Sequence, residues 1–291
     1  MGRLRRILTA AAAVALALAY APAAARPDET GRGTAAAEAP SAPRRLVIRP
    51  DRDGNWGSAS LDDVSKVLYS AAETLWEHVP ERRLAPIHVK PKGGPIVLYQ
   101  HGPGGEYRVH LNTGSTYWCQ YAFQFAHEFC HILCRYEKTE KANKWFEEAV
   151  CETASLFALR RMAEVWETRP PYPNWRDFAP HLRSYAEDRI QAAPLPEGMT
   201  LAQWYARHAD YLRREACDRP KNQVVAGVLL TMFEAAPDRW QAVQYLNAGA
   251  RPEPRSLPEY LADWHRHCPA RHRPFVRQVA EAFGIRLATS E

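Results

Sequence analysis

No apolar run in the 291-residue sequence reaches the roughly 20 residues that a membrane-spanning helix needs; the uncharged run from Ile7 to Tyr20 holds fourteen. No basic stripe with interleaved aromatics is present, which excludes nucleic acid as the expected partner. No internal repeat is visible, which sets aside a solenoid. An excess of one charge is also nearly missing. The formal net charge is +5, but three arginines and no acid fall within residues 1–25, leaving +2 for the remainder. Proportions of 24% charged and 46% hydrophobic residues are those of an ordinary globular chain, long enough for one large domain or two small ones.

The short apolar run has its own meaning. Arg3, Arg5 and Arg6 precede it and Ala23-Ala24-Ala25 follow it, the pattern of a secretory signal peptide over residues 1–25. The chain is therefore expected to be exported, to the periplasm or medium, with no stable membrane span after cleavage. Residues 26–44 carry Ala, Pro, Gly and charge without periodicity and read as a disordered linker. Six cysteines in an exported chain permit disulfides. A Cys217–Cys268 bridge, with another from the motif helix to Cys151, is one arrangement among the fifteen full pairings that six cysteines allow, and the sequence does not choose among them. Buried reduced thiols at Cys130 and Cys134 are an equal alternative.

Patterning gives a coarse order of elements. Residues 45–49 alternate weakly, and Ser60 opens a helix with Leu61, Val64, Val67, Leu68, Ala71 and Leu75 at helical spacing. Short β-type runs follow at 86–89 and 95–99, and residues 106–112 alternate cleanly between Tyr107, Val109, Leu111 and Arg108, His110. Helices are expected over 116–136 and 142–167, then a proline break at 170–173, then helices near 175–192, 200–217, 222–235, 238–247, 257–266 and 271–283. The expected class is α+β: a small mixed sheet with a motif-bearing helix over 45–168, then a mostly helical subdomain over 169–291.

The motif is His127-Glu128-Phe129-Cys130-His131. Histidines four apart stand about one turn apart on one helix face. This is the H-E-x-x-H pattern, in which two histidines hold Zn2+ and the glutamate is general base toward the water that the metal activates. Composition alone would produce the pattern about 0.03 times in a chain of this kind. No Gly or Pro interrupts residues 116–136, and Phe125, Ala126, Phe129, Ile132 and Leu133 supply apolar contacts around the motif.

Two imidazoles leave zinc short of the usual three protein ligands. Downstream lies Trp145-Phe146-Glu147-Glu148-Ala149-Val150-Cys151-Glu152. A histidine pair followed by a Trp-hydrophobic-x-Glu helix resembles the gluzincin zinc metallopeptidases, which include thermolysin-like enzymes and zinc aminopeptidases. The resemblance covers residues 106–160 and implies Glu148 as the third ligand, Glu128 as the catalytic base and a peptide or protein as substrate. Glu152 shares the face of Glu148 one turn on, and the resemblance implies that it orients a ligand histidine. Glu147, about 100° from Glu148 around the helix, is expected to face solvent. The strand with Tyr107, Val109 and His110 is expected to be the sheet edge that pairs with substrate.

The chain departs from the family in three places. Ala149 stands where many relatives have Gly, no Gly-x-Met-Glu-Asn signature precedes the motif, and the helix beginning Lys221-Asn222-Gln223-Val224 lacks a leading Tyr. Tyr205, His208, Tyr211 and Tyr245 are the candidate oxyanion donors. His265, His267 and His272, around Cys268, read as surface histidines. The alternative to a zinc peptidase is a non-catalytic metal-binding module on a peptidase-like fold.

Overall fold

The computed structural model describes residues 45–136, 141–249 and 251–287; the expected signal peptide and linker lie outside them. Four short strands, β1 (Ile48–Pro50), β2 (Ile87–Lys90), β3 (Ile96–Val97) and β4 (Tyr107–His110), form one mixed sheet in the order β1-β2-β4-β3. Strands β1, β2 and β4 run parallel, while β3 lies antiparallel to β4, with Ile96 opposite His110 and Val97 opposite Val109. The chain is therefore α+β, a small mixed sheet followed by a long helical succession. The expectation about the sheet edge is overturned. β4 is bonded on both sides and Val109 is fully buried, so the strand carrying Tyr107, Val109 and His110 has no free edge. The edges are β1 and β3, and the approach of β3 to β4 brings Gly94 so near the His110 carbonyl that any Cβ there would overlap it.

The first helix, α1 (Leu61–Trp76), starts where Ser60 accepts a hydrogen bond from the Asp63 amide, with Asp62 and Asp63 in the positive first turn. Its stripe of Val64, Val67, Leu68, Ala71 and Leu75 is fully buried. The motif helix α2 (Trp118–Cys134) ends at Arg135, which turns left-handed at φ 59°. Two bonds tie α2 to the sheet: Asn112 N–H donates to Gln124 Oε1 at 2.8 Å, and Gln124 Nε2 donates to the Asn112 carbonyl at 3.1 Å. A third, from Tyr136 Oη to the Leu98 carbonyl at 2.6 Å, fixes the far end of α2 against the chain leaving β3.

The centre of the molecule is α3 (Lys144–Thr168), which buries side chains all round from Trp145 to Leu159 and turns Arg161 and Glu164 to solvent only in its last turns. A helix without a solvent stripe needs neighbours on every side. Here they are α1, α2, α4 (Ala179–Ala192) and α6 (Arg219–Ala235). Ser155 Oγ donates to the Phe123 carbonyl at 2.8 Å and pins α3 to α2. The remaining helices are α5 (Leu201–Leu212), α7 (Trp240–Val243), α8 (Leu257–His267) and α9 (Arg273–Ala282). The helix expected near 238–247 is only a 3-10 turn, Pro237–Arg239, and the single turn of α7; Asn247 is drawn inward instead by bonds described below. The core is continuous across residue 169. No helix of the described residues is long and apolar enough to cross a membrane.

Phe129, inside the motif, shows what holds α2 in place. It is fully buried and packs edge-on to Trp76 at 6.3 Å and stacked with Phe125 at 6.1 Å. Phe129→Ala is expected to lower the free energy of unfolding by about 3–5 kcal/mol, read from urea denaturation.

Candidate metal centre

Helix α2 presents His127 and His131 to α3, with ring centroids 5.0 Å apart. Their ε nitrogens converge on one atom: Glu148 Oε2 lies 3.1 Å from His127 Nε2 and 3.6 Å from His131 Nε2. Their δ nitrogens diverge to two other carboxylates. His127 Nδ1 is 3.5 Å from Glu152 Oε2, and His131 Nδ1 donates to Glu147 Oε1 at 2.6 Å. Each ring is thus fixed by an acid on one nitrogen while the other points into a shared space.

The expectation that Glu147 faces solvent is overturned. Its side chain is fully buried and takes three bonds: from His131, from Lys144 Nζ at 2.8 Å and from Asn247 Nδ2 at 2.9 Å. The 100° separation is real, but α2 packs so closely on α3 that adjacent positions of α3 flank it, one on each side of His131. Asn247 also donates to the Cys134 carbonyl at 2.9 Å and accepts from Tyr260 Oη at 2.8 Å. Glu152 is held from the other side by Gln223 Nε2 at 3.0 Å. Gln223, Asn247 and Tyr260 had no signal in the sequence, because only chain folding brings them to the motif. Lys144 did have one, standing three and four residues before Glu147 and Glu148 on the same helix.

The electrostatics favour positive charge between α2 and α3. Burial works against a charged His127, but the bonds to Glu148 and Glu152 and the charge of Glu128 outweigh it and raise the pKa to about 10. His131 is opposed by burial and by Lys144, yet Glu148 and Glu147 raise it to about 9. Burial disfavours an ionised Glu148 too; the His131 charge and the His127 bond still hold it far below the usual carboxylate range. Glu128 is 4% exposed, and its carboxylate makes no hydrogen bond or ion pair with a described residue.

His127, His131 and Cys151 form a His/Cys cluster able to hold a metal ion, with one donor atom from each within 4.8 Å of the others. Cys130, Cys134 and Cys151 form a second such group directly behind it, with Cys130 Sγ 4.0 Å from Cys134 Sγ. The Cys217–Cys268 disulfide and the one from the motif helix to Cys151 are not formed: all six cysteines are free, Cys217 being exposed while Cys268 is buried. Burial pushes the Cys130 and Cys151 thiols well above their ordinary pKa, which disfavours the thiolate a metal would need.

The site opens into a cleft of about 490 Å³ whose floor is His127, Glu128, His131, Glu148 and Glu152. Ile96, Val97 and Tyr99, from β3 and the chain leaving it, line one side. Tyr185 and Arg189 of α4 and Arg219 of α6 line another. A larger hollow of about 720 Å³ between α1 and α3 holds neither His nor Cys. None of Tyr205, His208, Tyr211 and Tyr245 lines the cleft. Tyr205 stacks on Trp145, His208 leans on Trp204, and Tyr211 is exposed under Lys221. His265 and His272 are not surface residues: both are buried, each ring taking an arginine N–H, from Arg277 and Arg271. Among the described residues, neither belongs to a group of three metal donors.

Lys144→Met is expected to lower stability by about 3 kcal/mol, because it strips the buried Glu147 carboxylate of its ammonium partner. Lys144→Met combined with Glu147→Gln should recover at least half of that loss in urea denaturation, the sign of a coupled pair.

Compared with models of known protein families, with curated proteins and with solved structures, the chain matches none.

Proposed function

We propose that the chain is an exported, gluzincin-like zinc peptidase whose metal is held by His127, His131 and Glu148. The observation that carries the reading is the convergence of both Nε2 atoms on Glu148 Oε2, with each Nδ1 turned to a carboxylate of its own. Two neutral imidazoles and one carboxylate are a usual zinc donor set, and acids behind the rings fix their tautomer and orientation. Glu148 fits better than Cys151 as third ligand: it is already ionised and stands at the cleft, whereas Cys151 is a fully buried thiol shared with two other cysteines. Zinc bound there would supply Lewis-acid polarisation of the scissile carbonyl.

The chain's own residues do the rest. Glu128 stands in the same cleft with its carboxylate uncommitted, so it takes the proton of the attacking water and passes it to the leaving amine. Glu147 and Glu152 keep the two rings from rotating. The β3 edge offers an extended peptide a strand to lie along, with Tyr99 exposed at its exit. Tyr185 lines the cleft and accepts a bond from Arg189, which leaves its own hydroxyl proton for a developing oxyanion.

A second reading, a non-catalytic metal-binding module, draws on one observation: no oxyanion donor expected from the sequence lines the cleft. Glu128→Gln separates the two. It is expected to keep one zinc per chain while hydrolysis of a broad peptide library falls about 10²–10⁴-fold. Equal rates in the variant and the parent would sink the mechanism. Ligation is tested separately by equilibrium dialysis against zinc. Glu148→Ala should weaken zinc binding by more than about 10-fold, and Cys151→Ser by less than that; the reverse order would hand the third position to the thiol.

A further inference from the structure

The cleft wall contributed by α4 and α6 has a feature that zinc ligation and proton transfer leave unused. Elsewhere on α4, Arg183 and Glu187 are paired, while the exposed Asp188 forms no ion pair with a described residue. Arg183 bonds Glu167 at 2.8 Å, and Glu187 accepts from Arg160 at 2.7 Å, which also bonds Glu234. Arg189, on the same helix but lining the cleft, has no carboxylate within 4.0 Å among the described residues, and neither does Arg219 at the start of α6.

Arg189 is nonetheless held still. Its Nη2 donates to Tyr185 Oη at 2.7 Å, and its guanidinium carbon lies 5.0 Å from the ring centroids of both Phe123 and Tyr185. Phe123 belongs to the motif helix, four residues before His127, so the guanidinium is braced against the element that carries the metal ligands. Aromatic contact fixes a guanidinium's plane without satisfying its donors, and one bond to a hydroxyl leaves four N–H groups. A planar fork pre-oriented in a cleft, with no acid of its own, matches a carboxylate in shape and charge. The acids on the cleft floor do not answer it: none of Glu128, Glu148 and Glu152 comes within 4.0 Å of it, Glu148 faces the histidines and Lys144, and Glu152 faces His127 and Gln223.

We propose that Arg189, with Arg219 adding positive charge on the same wall, makes the cleft selective for peptides that present a carboxylate near the scissile bond. The carboxylate belongs to an Asp or Glu side chain or to a free C-terminus. This rests on the peptidase reading above, and the experiment keeps the two apart.

Glu128→Gln protein, loaded with zinc, is titrated by fluorescence anisotropy with three degenerate octapeptide pools carrying an uncharged fluorophore. One pool is neutral with an amidated C-terminus; one has a single Gln of that pool replaced by Glu; one is neutral with a free C-terminus. At least one carboxylate pool is expected to bind about 10-fold or more tightly than the neutral amide, and which one does so identifies the source. Adding Arg189→Gln should shrink the preference to within about 2-fold. Arg189→Lys should keep only part of it, since the point charge remains and the fork is lost. Arg183→Gln, on the outer face, should keep all of it, and matched thermal midpoints would show that each variant folds. Equal binding of the three pools, a preference that survives Arg189→Gln, or no binding of any pool overturns the inference. Digestion of the same pools by the Glu128-containing protein tests the peptidase reading independently. Indifferent cleavage of all three would keep that reading and remove this one, whereas selective binding without cleavage would do the opposite.

Discussion

Everything about this molecule's centre follows from buried carboxylates. Glu147 and Glu152 lie in the interior of α3, and Glu148 stands half-buried between them at the cleft. An ionised carboxylate out of water is untenable unless it is paired and hydrogen-bonded, so each must be met by specific groups. Two are met by imidazoles of α2, one turn apart, and the third by both. The relative position of α2 and α3 is thereby fixed to the precision of hydrogen bonds rather than to that of apolar packing. Phe129, Phe125 and Ser155 hold the helices together, but the acids set their register.

The same requirement explains the helices after Pro173. Gln223 on α6 bonds Glu152, and Asn247, beyond α7, bonds Glu147 while Tyr260 on α8 bonds Asn247. Arg255 and Asp263, both buried, pair at 2.7 Å, and Asn143 donates to the Arg255 carbonyl at 3.0 Å just before α3 begins. The C-terminal half of the chain therefore works as an outer set of hydrogen bonds for the site, while α4 and α6 form its outer wall. Deleting these helices would expose apolar surface and also release the acids that orient the histidines.

How much of this could be read from sequence depended on whether the signal was periodic. His127 and His131, and Glu148 and Glu152, each sit four apart, and a helix converts that spacing directly into a shared face. Helical order beyond Pro173 and the α+β class were legible for the same reason. Glu147 was not, because one residue's rotation away from Glu148 reads as solvent only on a helix that has a solvent side; α3 has none over that stretch. The edge strand was missed because strand order is not a local property: β4 follows β3 in the chain yet inserts between it and β2. The cysteines were legible as a count but not as a geometry. Cys130, Cys134 and Cys151 come together because α2 packs on α3, whereas Cys217 and Cys268 end in an exposed loop and in the core.

Charge balance then limits what the site can accept. Glu128, Glu147, Glu148 and Glu152 surround two imidazoles with one ammonium, Lys144, close by. With four carboxylates against one ammonium the group is formally −3, and protonating both rings or admitting a divalent cation brings it to −1. Against the cost of burial, the carboxylates raise the pKa of both histidines, which is the same pull toward positive charge. The two solutions differ only on the cleft side. The Nδ1 contacts to Glu152 and Glu147 already hold both rings, so the rings would not need to turn if a cation took the place of the two Nε2 protons. A site whose ligands are oriented before the ion arrives loses little affinity to reorganisation, and that is what carboxylates behind the histidines provide. The burial that makes the acids costly to fold is therefore also what draws positive charge into the space between His127, His131 and Glu148.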